Sequence, residues 1–276
     1  MNTGRRTAAV ATIVGALALS VLNAPAAQAA DTGIKVTDLV INNGKPIVVG
    51  TSKVVEPPIS FFVTLPAGYS TADPSRYDTH PFLYRGTTAK KAAESAENYI
   101  GPGGYTCYEL DSKRARCEGG LYIDPKPSRG DVDSNSDATK WKIAVALRLF
   151  KASGGLKAEE YETRSGSVLI KRAAKATANA SPEPVAKGKK ITVTGKLTRA
   201  DWNTHKFGPY GGRTVTLQFR AKGTDSFKTV KKATTSSTGA LKTTVTASPD
   251  GSWRWVYYGN STTGAATSAA DYVDVR

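Results

Sequence analysis

The 276-residue sequence predicts an all-β protein made of two β-sandwich domains. Short alternations of apolar and polar residues recur along most of the chain, and turn signals separate them at regular spacing. Only Thr88 to Tyr99, TAKKAAESAENY, reads as helix, short and exposed. Two alternations are the clearest. In 141–150, Trp141, Ile143, Val145, Leu147 and Leu149 share one face, while Lys142 and Arg148 take the other with alanines between. In 190–197, Ile191, Val193, Gly195 and Leu197 oppose Lys190, Thr192, Thr194 and Lys196. A period of two marks a half-buried strand.

In chain order, residues 1–29 come first. Arg5-Arg6, the apolar run AAVATIVGALALSVL and Ala27-Gln28-Ala29 follow the basic, hydrophobic, small-residue order of a secretory signal cleaved after about Ala29. The run falls short of the roughly 20 apolar residues that a membrane span needs. No cysteine lies near the cleavage point, which argues against a lipid anchor. Strands are expected at 34–41, 46–50, 59–65, 81–85, 104–110, 114–123, 141–150 and 166–172. A second set is expected at 176–180, 190–197, 213–220, 226–232, 240–247, 252–258 and 271–275. Asn42-Asn43-Gly44, Gly101-Pro102-Gly103-Gly104, Gly211-Gly212, Ser237-Thr238-Gly239 and Pro249-Asp250-Gly251 punctuate them. The domains are then 30–175 and 176–276, joined at the short Ala-Lys-rich stretch near Ala173 to Ala176.

The two cysteines, Cys107 and Cys117, lie in β-prone segments flanking Asp111-Ser112-Lys113. A hairpin centred on Ser112 sets Cys107 opposite Cys117, with their Cβ atoms close enough to bridge. An exported chain meets an oxidising environment, so a structural disulfide is expected. A redox pair or a metal site would want CxxC spacing or further Cys and His partners.

In the C-terminal half, ASPEPVAKGKKITVTGKLTRADW, then GRTVTLQFRAKGTDSFKTVKKATTSSTGALKTTVTASPDGSWRWVYYGN, then SAADYVDV, resembles the immunoglobulin-like domains of secreted actinobacterial proteins. The resemblance covers about 176–276. It implies an immunoglobulin-like β-sandwich, export, and pairing with a second β-rich domain that carries a Cys pair. Some such relatives are labelled calcium-binding. The matched positions are strand and turn residues, so no catalytic residue is carried over.

Once residues 1–29 are removed, 36 basic and 23 acidic residues remain. From Ala176 onward there are 15 basic and six acidic residues, so the basicity belongs mainly to the second domain. Such a balance suits solubility and attraction to anionic surfaces: wall polymers, acidic lipids or extracellular nucleic acid.

Residues suited to catalysis are scarce. His80 and His205 are the only histidines, one per domain, and both sit in loop-like sequence. No GxSxG, HExxH, P-loop or zinc-type cysteine set occurs. Glu159, Glu160 and Glu162 could pair as glycosidase carboxylates, but before a strand they read as a solvated turn. In SRGDVDSNSDATKW, Asp131, Asp133, Asn135 and Asp137 alternate as calcium-loop ligands do. Ser136 and Lys142 stand where an EF-hand needs Gly and a bidentate Glu, which leaves only a looser loop site. The tripeptide Arg129-Gly130-Asp131 spells an adhesion motif, though its integrin-type partners belong to animals. Trp253, Trp255 and Tyr257 share a strand face and read as core. Trp202, Phe207 and Tyr210 lie in a long loop that could line one end of the sandwich.

The sequence therefore predicts an exported, non-enzymatic binding or structural protein at or near the bacterial surface, with no catalytic, cofactor or metal residues assigned. Its expected partners are an anionic cell-wall polymer or another extracellular protein, with no specific nucleic acid and no membrane span. A calcium-binding extracellular protein and a secreted hydrolase are the alternatives.

Overall fold

The computed structural model describes residues 31–86, 88–126 and 131–276. The secretory-type segment 1–29 and the Arg129-Gly130 pair of the adhesion tripeptide lie outside the described residues. The first sandwich holds β1 (Lys35–Ile41), β2 (Ile47–Val49), β3 (Pro58–Thr64), β4 (Tyr77–Tyr84), a helix α1 (Ala89–Ser95), β5 (Tyr99–Ile100), β6 (Pro102–Glu109), β7 (Arg114–Leu121), β8 (Lys140–Phe150) and β9 (Leu156–Arg172). One sheet runs β1-β3-β7-β6 and the other β2-β9-β8-β4-β5, antiparallel throughout except that β2 lies parallel to β9. With β1, β3, β4, β6, β7, β8 and β9 as strands A to G, the order is A-B-E-D against G-F-C. That is the immunoglobulin arrangement. The resemblance implied it for the second domain only; the first follows it too.

The core of this sandwich lies between the sheets, where Phe61, Val63, Trp141, Val145, Leu147 and Ile170 are buried. Ala144 and Ala146, on the opposite face of β8, are buried as well. There α1 packs through Ala89 and Ala92 onto Phe82, Tyr84 and these alanines. Small residues let the helix approach the sheet, which explains the alanines between the large residues of β8. The helix is thus shorter than the 12-residue stretch read from the sequence and is half-buried rather than exposed. The Thr88 side chain caps it by accepting from the Lys91 N–H at 3.2 Å, and Ala96, at φ 56°, ends it.

The expected disulfide is present between β6 and β7, where Cys107 and Cys117 are directly paired with Cα atoms 4.0 Å apart. It joins neighbouring strands of one sheet, unlike the inter-sheet bridge of antibody domains.

The second sandwich holds β10 (Ala174–Ser181), β11 (Lys190–Asp201), β12 (Lys206–Pro209), β13 (Thr214–Ala221), β14 (Lys228–Thr234), β15 (Ala240–Thr246), β16 (Gly251–Tyr257), β17 (Ala266–Thr267) and β18 (Asp271–Val273). One sheet is β10-β11-β15, with β12 on the far end of β11; the other is β14-β13-β16, with β17 and β18 beside β16. Trp253, Trp255 and Tyr257 point into this core, as their alternation predicts. Gly195 occupies an inward position because Trp255 from the facing sheet needs the space. A Cβ there would lie 2.3 Å from the Thr177 carbonyl oxygen and 2.7 Å from the indole. The indole N–H of Trp255 donates to the Thr194 carbonyl at 3.1 Å.

Three sequence expectations are corrected. β4 begins at Tyr77, so Asp78 and His80 sit in a strand, not a loop. β9 begins at Leu156, so Glu159, Glu160 and Glu162 are strand residues rather than a turn. β12 was not foreseen, and the hairpin that it forms with β11 reaches the first sandwich. Trp202, at the tip of that hairpin, is fully buried among the core residues of the first sandwich. Its indole N–H donates to the Gly50 carbonyl at 2.8 Å.

Candidate functional site

The outer face of β4, β8 and β9 carries a row of ionisable groups set by register: Asp78 opposes Arg148, and Arg148 opposes Glu159. Arg148 donates through Nη1 to Asp78 at 3.0 Å and through Nε to Glu159 at 2.7 Å. Tyr161 also donates to Glu159, at 3.1 Å. Burial alone would lower the Arg148 pKa, but its hydrogen bonds to Glu159, Tyr161 and Asp78 outweigh that and raise it. One row along, His80 Nε2 and the Tyr99 hydroxyl lie 2.6 Å apart. Burial pushes Tyr99 up to about 12. Burial also lowers the His80 pKa; the Arg148 charge adds to that and Asp78 opposes it. Burial thus favours the neutral imidazole and the protonated phenol, beside an ion triad in which one guanidinium bridges two carboxylates. The arrangement braces three strands.

His80 hydrogen-bonds no serine or carboxylate among the described residues. His205, at φ 52°, is no free loop histidine either: its Nδ1 lies 2.8 Å from the Pro125 carbonyl of the first sandwich. The two histidines are thus held separately. The sequence missed the triad because Asp78 read as loop and Glu159 as turn. The signal was present, since the half-buried Asp78 and His80 alternate with the buried Tyr77 and Thr79.

The alternating acidic loop lines a cleft of about 350 Å³ together with Arg85, Glu97, Asn98 and Trp141. The oxygens of Asp131 and Asp137 serve the chain itself. Asp131 accepts from the Asp124 N–H at 2.8 Å. Asp137 accepts from the Asp133 and Ser134 N–H groups at 3.1 and 2.9 Å. Asp137 is almost fully buried, and its other oxygen pairs with the Arg85 guanidinium, which stacks 4.9 Å from the Trp141 ring. Arg85 supplies the positive charge of this loop. Among the described residues, no three His, Cys, Asp or Glu side chains come together as metal ligands.

Asn135 has a different task from its neighbours. Its Oδ1 accepts from the Trp202 N–H at 3.0 Å, and its Nδ2 donates to Asp201 at 3.2 Å. Its own N–H donates to Asn203 at 2.8 Å. The loop docks the second sandwich onto the first. Arg172, the last residue of β9, completes the seam by donating from Nε to the Ala200 carbonyl at 2.6 Å. Burial and the neighbouring Arg199 lower Arg172 to about 10, partly offset by Asp201.

Tyr210 is buried, with the Arg199 and Arg213 guanidinium groups 4.2 and 4.7 Å from its ring. Of the loop aromatics, Trp202 and Tyr210 are therefore spent on seam and core. Phe207 packs partly buried against the first core.

What the second sandwich presents outward is positive charge. Its carboxylates are largely committed: Asp250 to Lys222, Asp274 to Arg276, Asp271 to the Ala180 N–H, and Asp201 to the seam. Lys190, Lys196, Lys228, Lys231, Lys232 and Lys242 are exposed and make no ion pair among the described residues. Arg254 stacks over Phe227 at 3.7 Å and donates to Gln218 at 2.8 Å.

No family model matches the chain, and no curated protein matches it. Among solved structures it is similar to the Ig1–Ig3 ectodomain of mouse nectin-like molecule 4, at 9% identity and a TM-score of 0.23, over 87% of this chain and 63% of that one. It is similar to a marsupial T cell receptor at 8% identity and a TM-score of 0.31, over 90% and 73% of the two chains. The D00-D0 domain of intimin gives 13% identity and a TM-score of 0.27, over 87% and 98%. The chain spans less than two thirds of the nectin-like ectodomain. The fold rests on the strand order described above.

Proposed function

We propose that this protein is an extracellular, non-enzymatic binding protein that holds an anionic cell-wall polymer through its second sandwich. The observation that carries this reading is the unbalanced charge of that sandwich. From Ala176 onward 15 basic residues face only six acidic ones, and most of those carboxylates are engaged internally. Uncompensated lysines on outward strand positions attract a polyanion and keep their charges hydrated until it arrives. A disulfide-stapled first sandwich and the secretory-type N-terminal segment suit an oxidising exterior. No helix among the described residues is long and apolar enough to cross a membrane.

Retention of the purified protein on isolated bacterial cell wall at rising salt tests this reading. Binding at low ionic strength that weakens steeply toward about 1 M salt is expected, because screening shortens the Debye length to about 3 Å. Absence of retention at low salt overturns it.

A further inference from the structure

The outer face of the β10-β11-β15 sheet carries threonines and lysines in register. Register sets Thr192 opposite Thr244 and Thr194 opposite Lys242, with Lys190 and Lys196 flanking them along β11. All six side chains are exposed or half-buried, while the alternate residues Ile191, Val193 and Leu241 lie in the core. No Asp or Glu occupies an outward position of β10, β15 or the 190–198 part of β11. Paired strands stand about 4.8 Å apart, and outward positions repeat about every 6.8 Å along each strand. The face therefore repeats hydroxyls and ammonium groups at a regular spacing.

Ammonium groups donate hydrogen bonds and carry charge, whereas hydroxyls both donate and accept. Phosphates accept from both groups, but only a partner that also carries hydroxyls of its own can donate back to the threonine oxygens. We infer that this face is the docking surface for a polyol-phosphate polymer, whose phosphates meet Lys190, Lys196 and Lys242 and whose free hydroxyls meet Thr192 and Thr244. The charge complementarity is that of the proposed function, on which this inference rests. The hydroxyl lattice adds a discrimination that charge alone does not supply. Polyphosphate and duplex DNA offer the anions without the repeating free hydroxyls, and a neutral glucan offers the hydroxyls without the anions.

The test is binding of the full chain to poly(glycerol phosphate), polyphosphate, duplex DNA and dextran at one ionic strength, with two variants. The double variant Thr192→Val/Thr244→Val keeps charge and strand shape; it is expected to bind poly(glycerol phosphate) about tenfold more weakly, from two lost hydrogen bonds. The slope of its affinity against salt should not change. The triple variant Lys190→Gln/Lys196→Gln/Lys242→Gln is expected to flatten that slope by about 2. Both are checked for wild-type circular dichroism, and the triple variant reads the same face should the valines disturb the fold. An unchanged affinity of the valine variant, or equal wild-type affinity for DNA or polyphosphate, overturns the inference but leaves the broader wall-binding reading intact; equal affinity for dextran overturns both. If wild type binds no wall at all, the broader reading itself fails.

Discussion

His80 shows how a single side chain changes meaning once its strand is known. As a loop histidine it would titrate freely. As a β4 residue behind Tyr99 it is desolvated, and its pKa falls below the ordinary 6.5. The sign follows from linkage: the unfolded chain takes up this proton near pH 6.5, the folded chain only at lower pH. Stability is therefore unaffected above that value and falls as pH drops through the window beneath it. The melting temperature of the wild type should fall further between pH 7.5 and 5 than that of His80→Gln. Parallel pH profiles would contradict this placement. Asn135 carries the same lesson. Within an acidic run it looked like one more oxygen ligand, yet it makes three hydrogen bonds to the second sandwich.

Among the elements, the hairpin β6–β7 and the strand β11 were legible because their determinants are local. Turn residues centred on Ser112 set the register, and register placed Cys107 against Cys117. Closing so short a loop stabilises the fold by roughly 2–3 kcal/mol in the chain-entropy model. Reduction should lower the urea midpoint correspondingly, and an unchanged midpoint would show that the hairpin holds itself. In β11 the alternation was plain, but the reason for glycine at 195 was not, since Trp255 reaches it from the opposite sheet. Gly195→Ala should destabilise by about 1–3 kcal/mol through overpacking, as read by denaturant unfolding. The early part of β9 and the start of β4 were obscured because their outward residues are charged. Their ion pairs form across strands, and sequence spacing does not display cross-strand partners.

For the whole molecule the decisive residue is Trp202. It belongs to the second sandwich by sequence and to the first by burial. Removing a fully buried Trp costs about 3–5 kcal/mol. Trp202→Ala should lower stability and also split a single calorimetric transition into two, one per sandwich. One transition at lower temperature would mean that the seam is held by Asn135, His205 and Arg172 without it. The all-β class, the strand alternations, the cysteine pairing and the basic second half were determined by the sequence alone. Each depends on residues near one another in the chain or on composition. Only the tertiary structure decided that the first sandwich has immunoglobulin strand order, that the acidic loop is closed by Arg85, and that the two sandwiches share a buried seam. Those outcomes join residues far apart in the chain, as Gly50 to Trp202 at the seam. Long-range pairing of this kind follows from which surfaces are buried together, a property that no local pattern carries.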